Sequence, residues 1–115
     1  MQHEMKLHEG PYRLIEKGSK TVELRLCDEK RQLVKPGDTI RFTNAQTGEE
    51  MVCAVSSCVR FPDFEALYQH FDPISMGYLP GETADPQDML AYYSQEKIDL
   101  YGALAIVLAD AEEDV

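Results

Sequence analysis

A helix stop runs straight into a charge-bearing strand at residues 18–26, and this junction constrains the chain more than any other segment. Residues 9–17 read as a short helix. Pro11 sits in its first turn, where a missing N–H costs nothing. Leu14 and Ile15 give it an apolar side, and Lys17 suits the negative end of the helix dipole. Gly18 supplies the residue on which such helices end. Residues 21–26, Thr-Val-Glu-Leu-Arg-Leu, then alternate polar and apolar with period two. Val22, Leu24 and Leu26 share one face, and Thr21, Glu23 and Arg25 share the other. If that second face meets water, it is an ordinary solvated surface. If it points inward, its charges must pair or meet a ligand. Spacing alone leaves both readings open and leans to the outward one. Lys20 stands at the junction itself. The segment is not a P-loop, because Ser19 separates Gly18 from Lys20 and Leu14 occupies the upstream glycine position.

The rest of the chain continues in short elements. Residues 27–35 form a charged connection, and Pro36-Gly37-Asp38 is a turn signal. Residues 38–43 read as a strand with Ile40 and Phe42 on one face. Residues 44–48 form a hairpin loop, where Asn44 is a turn residue or the reader of a polar ligand edge. Residues 50–60 make a long strand whose small residues on both faces imply a bend, as in a barrel. Pro62 opens a helix to residue 71, with Phe64, Leu67, Tyr68 and Phe71 at helical spacing. Residues 72–88 are irregular and rich in Pro and Gly, which suits a lid, a binding segment or a wrapped surface loop. Asp85 and Pro86 start a helix to residue 93, and Ser94 caps a turn ending at Gly102. Residues 103–108 are a continuous apolar strand, buried on both faces. An acidic tail follows. The pattern predicts one α+β domain over residues 1–115, with its core at 5–109 and its tail at 110–115. Its centre is a small, mostly antiparallel sheet or barrel.

Composition narrows the function. The net charge is -10, yet residues 1–41 carry nine bases against seven acids, and residues 42–115 carry two bases against fourteen acids. A protein that coats nucleic acid through its phosphates carries the opposite overall sign. No run of about 20 apolar residues exists to span a bilayer, and the first ten residues have no signal-type apolar segment. Cys27, Cys53 and Cys58 form no CxxC pair, which speaks for free thiols in a reducing cytoplasm, with Cys53 and Cys58 in the core. His3, His8 and His70 make no ligand pattern, so neither metal nor cofactor is expected.

Gly18, Lys20, Glu23 and Arg25 reproduce the pattern GxKxxExR, and on these residues the chain resembles the ASCH domain family. Lys35-Pro36-Gly37-Asp38 before a strand is similar to a second block of that family. So are Arg60-Phe61-Pro62 before a short helix, and Tyr92-Tyr93 followed by Tyr101-Gly102 entering a last apolar strand. The resemblance covers about residues 5–108. It implies a PUA-like small mixed β-barrel with flanking helices, whose cleft between barrel and helix is lined by the signature. It turns Glu23 and Arg25 inward, and it implies RNA or a modified nucleoside as ligand.

Roles follow for the residues of that cleft. Lys20 serves as a base or as a point charge for phosphate. Glu23 accepts from an exocyclic amine or fixes the fork of Arg25, and Arg25 grips a phosphate or carbonyl with two parallel donors. Asp28, Lys30 and Arg31 rim the cleft or form a solvated loop, and Arg31 is counted among the ligand-binding residues. Tyr92, Tyr93 and Tyr101 stack on a base or pack half-buried, and Tyr93 is the one assigned to the ligand. One branch of the family hydrolyses the amide of N4-acetylcytidine, and Lys20 matches its lysine. That branch has a threonine nucleophile where this chain has Glu23. Thr21 lies two residues earlier, on the same strand face but in another register. Glu23 could instead activate a water, with Glu82 or Glu96 as the later acid. The expected function is therefore binding of RNA or of a modified nucleoside or nucleotide. The alternatives are an amidohydrolase for acylated nucleosides, an RNA hydrolase, or an acidic protein-interaction domain. An acidic surround repels long polyanions and favours a nucleoside or short RNA over an extended duplex.

Overall fold

Five strands curl into one sheet in the computed structural model, which describes residues 1–109; the acidic tail at 110–115 lies outside them. The strands are β1 (Gln2–Leu7), β2 (Val22–Leu26), β3 (Thr39–Asn44), β4 (Glu50–Phe61) and β5 (Ala103–Leu108), in the order β1-β3-β4-β5-β2. β1 runs parallel to β3, and the other neighbours are antiparallel. The sheet is thus a mixed half-barrel whose two edges, β1 and β2, do not pair with each other. β1 is an addition to the sequence reading. Its inward positions carry only Met5 and Leu7 as apolar residues, between Glu4, Lys6 and His8, and that is too short an alternation to stand out.

β4 carries the bend. Its first half pairs with β3 as far as Ala54, and from Val55 onward it pairs with β5. The register slips between Val55 and Ser57, a bulge that lets one strand serve both walls of the curl. β5 is buried along its length and alternates between two cores. Leu104, Ile106 and Leu108 face the inside of the curl with Met5, Leu7, Ile40, Phe42 and Val55, closed by Tyr12 and Ile15 of α1 (Glu9–Lys17). Ala103 and Ala105 face a helical layer with Val22, Leu24 and Leu26. Cys27 is buried, while Cys53 and Cys58 are half-buried against the inner core rather than within it.

That layer holds α2 (Phe64–His70), α3 (Pro73–Met76) and α4 (Gln95–Tyr101). Asp63 caps α2, its carboxylate accepting the Ala66 N–H at 2.8 Å, so Pro62 precedes the cap instead of opening the helix. Within the stretch read as irregular, Asp72 caps α3 by accepting the Ile74 N–H at 3.1 Å. Asp85 and Pro86 do start a helical segment, but it is a 3-10 stretch, Pro86–Ala91, squeezed between that proline and the Ser94 cap of α4. Among the described residues, no helix is long and apolar enough to cross a membrane.

Candidate functional site

The register of β2 decides where its charges go. Glu23 lies opposite Ile106 and Arg25 opposite Leu104 on β5. Paired residues on neighbouring strands project to the same face. Glu23 and Arg25 therefore enter the inside of the curl, while Val22, Leu24 and Leu26 enter the helical layer. β2 has no wet face, and its polar residues are on the buried side of a sheet edge. This is the inward arrangement.

Three charges meet there. The Lys20 ammonium is 3.1 Å from Glu23 Oε1, and Arg25 Nε is 2.7 Å from Glu23 Oε2. The Lys20 and Glu23 side chains are only 7% and 5% exposed. Burial pushes the Glu23 carboxyl upward, but the two cations and the hydrogen bonds they donate outweigh it and hold it below the usual carboxylate range. Lys20 also donates to the Met76 carbonyl at 3.1 Å, at the end of α3. Its alkyl chain passes Gly77, where a Cβ would stand 3.0 Å from Lys20 Cδ. Arg25 Nη2 donates to the Lys6 carbonyl at 2.9 Å, so one guanidinium bridges the seam between β2 and β1. Lys20 has three N–H donors and Arg25 has five. One on Lys20 and those on Arg25 Nη1 have no partner among the described residues.

These residues floor a cleft of about 520 Å³ between the half-barrel and the helical layer. Lys6, His8 and Pro11 line it from one side, and Tyr68, Met76, Tyr78, Met89, Tyr92 and Tyr93 from the other. Glu82 and Asp88 stand among these aromatic residues. Of the two adjacent tyrosines, Tyr93 is committed to packing as well, stacked on Phe64 at 6.0 Å between ring centroids. Tyr92 is 61% exposed. Among the described residues, no three His, Cys, Asp or Glu side chains stand together as a cation site would need.

The other sequence-assigned residues lie elsewhere. Arg31 is outside the cleft lining. Asp28 accepts its backbone N–H at 3.0 Å and its guanidinium at 2.9 Å, a local clasp on the 3-10 turn Arg31–Leu33. Thr21 is also outside. It precedes β2, and its backbone is tied to Ser75 and Leu108. Glu96 is on the exposed side of α4, whereas Glu82 lines the cleft with its carboxylate accepting the Leu79 N–H. Tyr101 donates to Glu29 away from the cleft. Asn44 is fully buried; its Oδ1 accepts from Gln46 and Thr47 and its Nδ2 donates to Glu9, so it is the turn residue. Lys6, Tyr68, Tyr78 and Asp88 are cleft residues that the sequence does not single out. Tyr68 reads as helix core and Asp88 as part of the next predicted helix, and Lys6 and Tyr78 fall in segments without periodicity.

The sequence pattern of the ASCH domain matches residues 5–112. No curated protein matches the chain at a significant level. Among solved structures, the chain is similar to hypothetical protein PH0355, with 30% identity and a TM-score of 0.82 over 96% of this chain and 99% of that one. It is also similar to protein PF0455 from Pyrococcus furiosus, at 31% identity and a TM-score of 0.69, covering 97% and 99%. The ASCH protein of Zymomonas mobilis shares 18% identity at a TM-score of 0.66, with 95% of this chain and 67% of that one covered. That last likeness speaks for the fold alone, which is the PUA-like α+β arrangement. With the domain pattern spanning nearly the whole length, and a 30%-identical structure covered from end to end, the chain belongs to the ASCH domain family.

Proposed function

We propose that this protein holds a nucleoside, a nucleotide or a short single-stranded RNA segment in its cleft. A phosphate or carbonyl group meets Lys20 and Arg25, and the base lies among the tyrosines. The observation that carries this reading is the charge of the floor. Buried Lys20 and half-buried Arg25 share one carboxylate, which leaves a surplus positive charge on a floor where an unmatched charge is costly. An anionic or acceptor-rich ligand supplies the missing partner. A volume of about 520 Å³ suits a small molecule. Exposed Tyr92 offers a stacking face of the kind worth ~1–3 kcal/mol per base. Glu23 works as a spacer that keeps the two cations apart and aimed. Three unbridged cysteines fit a reducing, cytoplasmic setting.

Calorimetric titration with nucleoside 5′-monophosphates and with a short single-stranded RNA tests the reading. Lys20→Met and Arg25→Ala are each expected to weaken binding at least tenfold, and Tyr92→Ala about tenfold. Undiminished binding by both cation variants would overturn it. The hydroxyls that line the cleft are all phenolic, so the hydrolytic alternative would use a water as nucleophile beside Lys20 and Glu23. Release of cytidine from N4-acetylcytidine, followed by chromatography, would turn the binding reading into a hydrolytic one.

A further inference from the structure

Asp88 lines the same cleft as Lys20 and Arg25, with the opposite charge. A chain of two phenols holds it. The Tyr78 hydroxyl is 2.7 Å from Asp88 Oδ2 and 2.9 Å from the Tyr68 hydroxyl. An ionised carboxylate only accepts, so Tyr78 gives its single proton to Asp88, and Tyr68 gives its proton to Tyr78. The Asp85 carbonyl, at 3.3 Å, is the longer competitor for the Tyr78 proton. Burial pushes the Tyr78 phenol far above its ordinary value, and its bonds to Tyr68 and Asp88 push it further, so the proton stays on the phenol. The direction of the chain is thus fixed from Tyr68 to Asp88. Asp88 Oδ1 has no hydrogen-bond partner among the described residues.

The cleft therefore pairs a floor of donors with a fixed acceptor at its rim. The buried, partly unpartnered Lys20 already marks it as a place for a ligand. Resting on the nucleotide reading above, we propose that Asp88 is a specificity-determining acceptor that selects nucleobases bearing an exocyclic amine. The cytosine or adenine amine donates to Oδ1, an arrangement carboxylates use with the cytosine amine elsewhere. The uracil carbonyl at the equivalent place faces a carboxylate oxygen with no proton between them. Tyr78 and Tyr68 are positioning residues that keep the carboxylate from turning away.

The experiment is calorimetry on the full chain with the 5′-monophosphates of cytidine, adenosine and uridine. Intact protein is expected to bind the two amine-bearing nucleotides at least tenfold more tightly than the uridine one. Asp88→Asn offers an N–H to a carbonyl, so it should raise uridine affinity and bring the ratio to one or reverse it. Tyr78→Phe should shrink the ratio several-fold while cytidine monophosphate still binds. Asp88 is exposed at the rim, so Asp88→Asn is expected to melt like the intact protein. Equal binding of all three nucleotides, lost in Arg25→Ala, would overturn the role of Asp88 and leave the cleft reading standing. So would a ratio unmoved by Asp88→Asn. Failure of any monophosphate to bind at millimolar concentration would overturn both.

Discussion

Replacing Glu23 by Gln keeps the shape of the triad and removes the charge that Lys20 and Arg25 share. Breaking a buried pair from one side costs about 3–5 kcal/mol, because the partner charges stay behind. Glu23→Gln is expected to lose about 3 kcal/mol in urea denaturation, the amide oxygen still accepting one bond. The pH dependence follows from the same carboxyl. Its folded value lies below the ordinary 4.5, so the unfolded chain binds the proton more readily. The pair's contribution is complete above about pH 4.5 and fades as pH falls through the folded value. Intact protein should therefore lose stability in that acid range more steeply than Glu23→Gln, whose slope lacks this group. At this scale the sequence shows which residues carry charge and which share a strand face. It does not show which face is wet, and on β2 neither is. Arg31 lies outside the cleft lining, where the carboxylate three residues before it accepts from its backbone N–H and from Nη1 while its buried Nε has no partner among the described residues. Tyr92 and Tyr93 cannot be ranked from their order; the Phe64 ring, distant in the chain, decides which of the two packs.

Two glycines test how the elements are joined. Gly102 links α4 to β5 at a φ of 76°, and a Cβ there would stand 2.7 Å from the Phe61 carbonyl oxygen. That contact is with backbone, which cannot swing aside. Gly102→Ala should cost about 2 kcal/mol or more from strain, measured as a fall in the denaturation midpoint. Gly77 ends α3 at a φ of 111°, where a Cβ meets the flexible Lys20 side chain at 3.0 Å. Gly77→Ala should be milder in stability and visible in ligand affinity, because it moves Lys20. Elements with dense local signals are legible from the sequence. α1 falls on its predicted residues, and β5 is buried on both faces as its unbroken apolar run implies. β1 and α3 are not legible. The first owes its strand to a parallel partner more than thirty residues away, and the second is a single capped turn.

Across the whole molecule the sheet curls but does not close. Among the described residues 17 acids stand against 11 bases around a small cationic floor, so an RNA held in the proposed way should touch few phosphates. With two such contacts, log affinity should fall against log salt with a slope of roughly -1.4. Affinity should also stop rising once the RNA exceeds a short segment. A slope several times steeper would mean a longer electrostatic track than the Lys20–Arg25 floor provides. β1 and β2 leave a seam, and Arg25 reaches over it to the Lys6 carbonyl with one arm while its Nη1 arm remains available. A ligand that takes the available arm holds the guanidinium at a third point and stiffens the crossing. It stands in for a strand pairing that the barrel never makes. Occupancy should then slow the backbone amide exchange of Gln2–Leu7, and Arg25→Ala should quicken it with no ligand present. The N-terminal strand becomes a reporter of whether the cleft is filled.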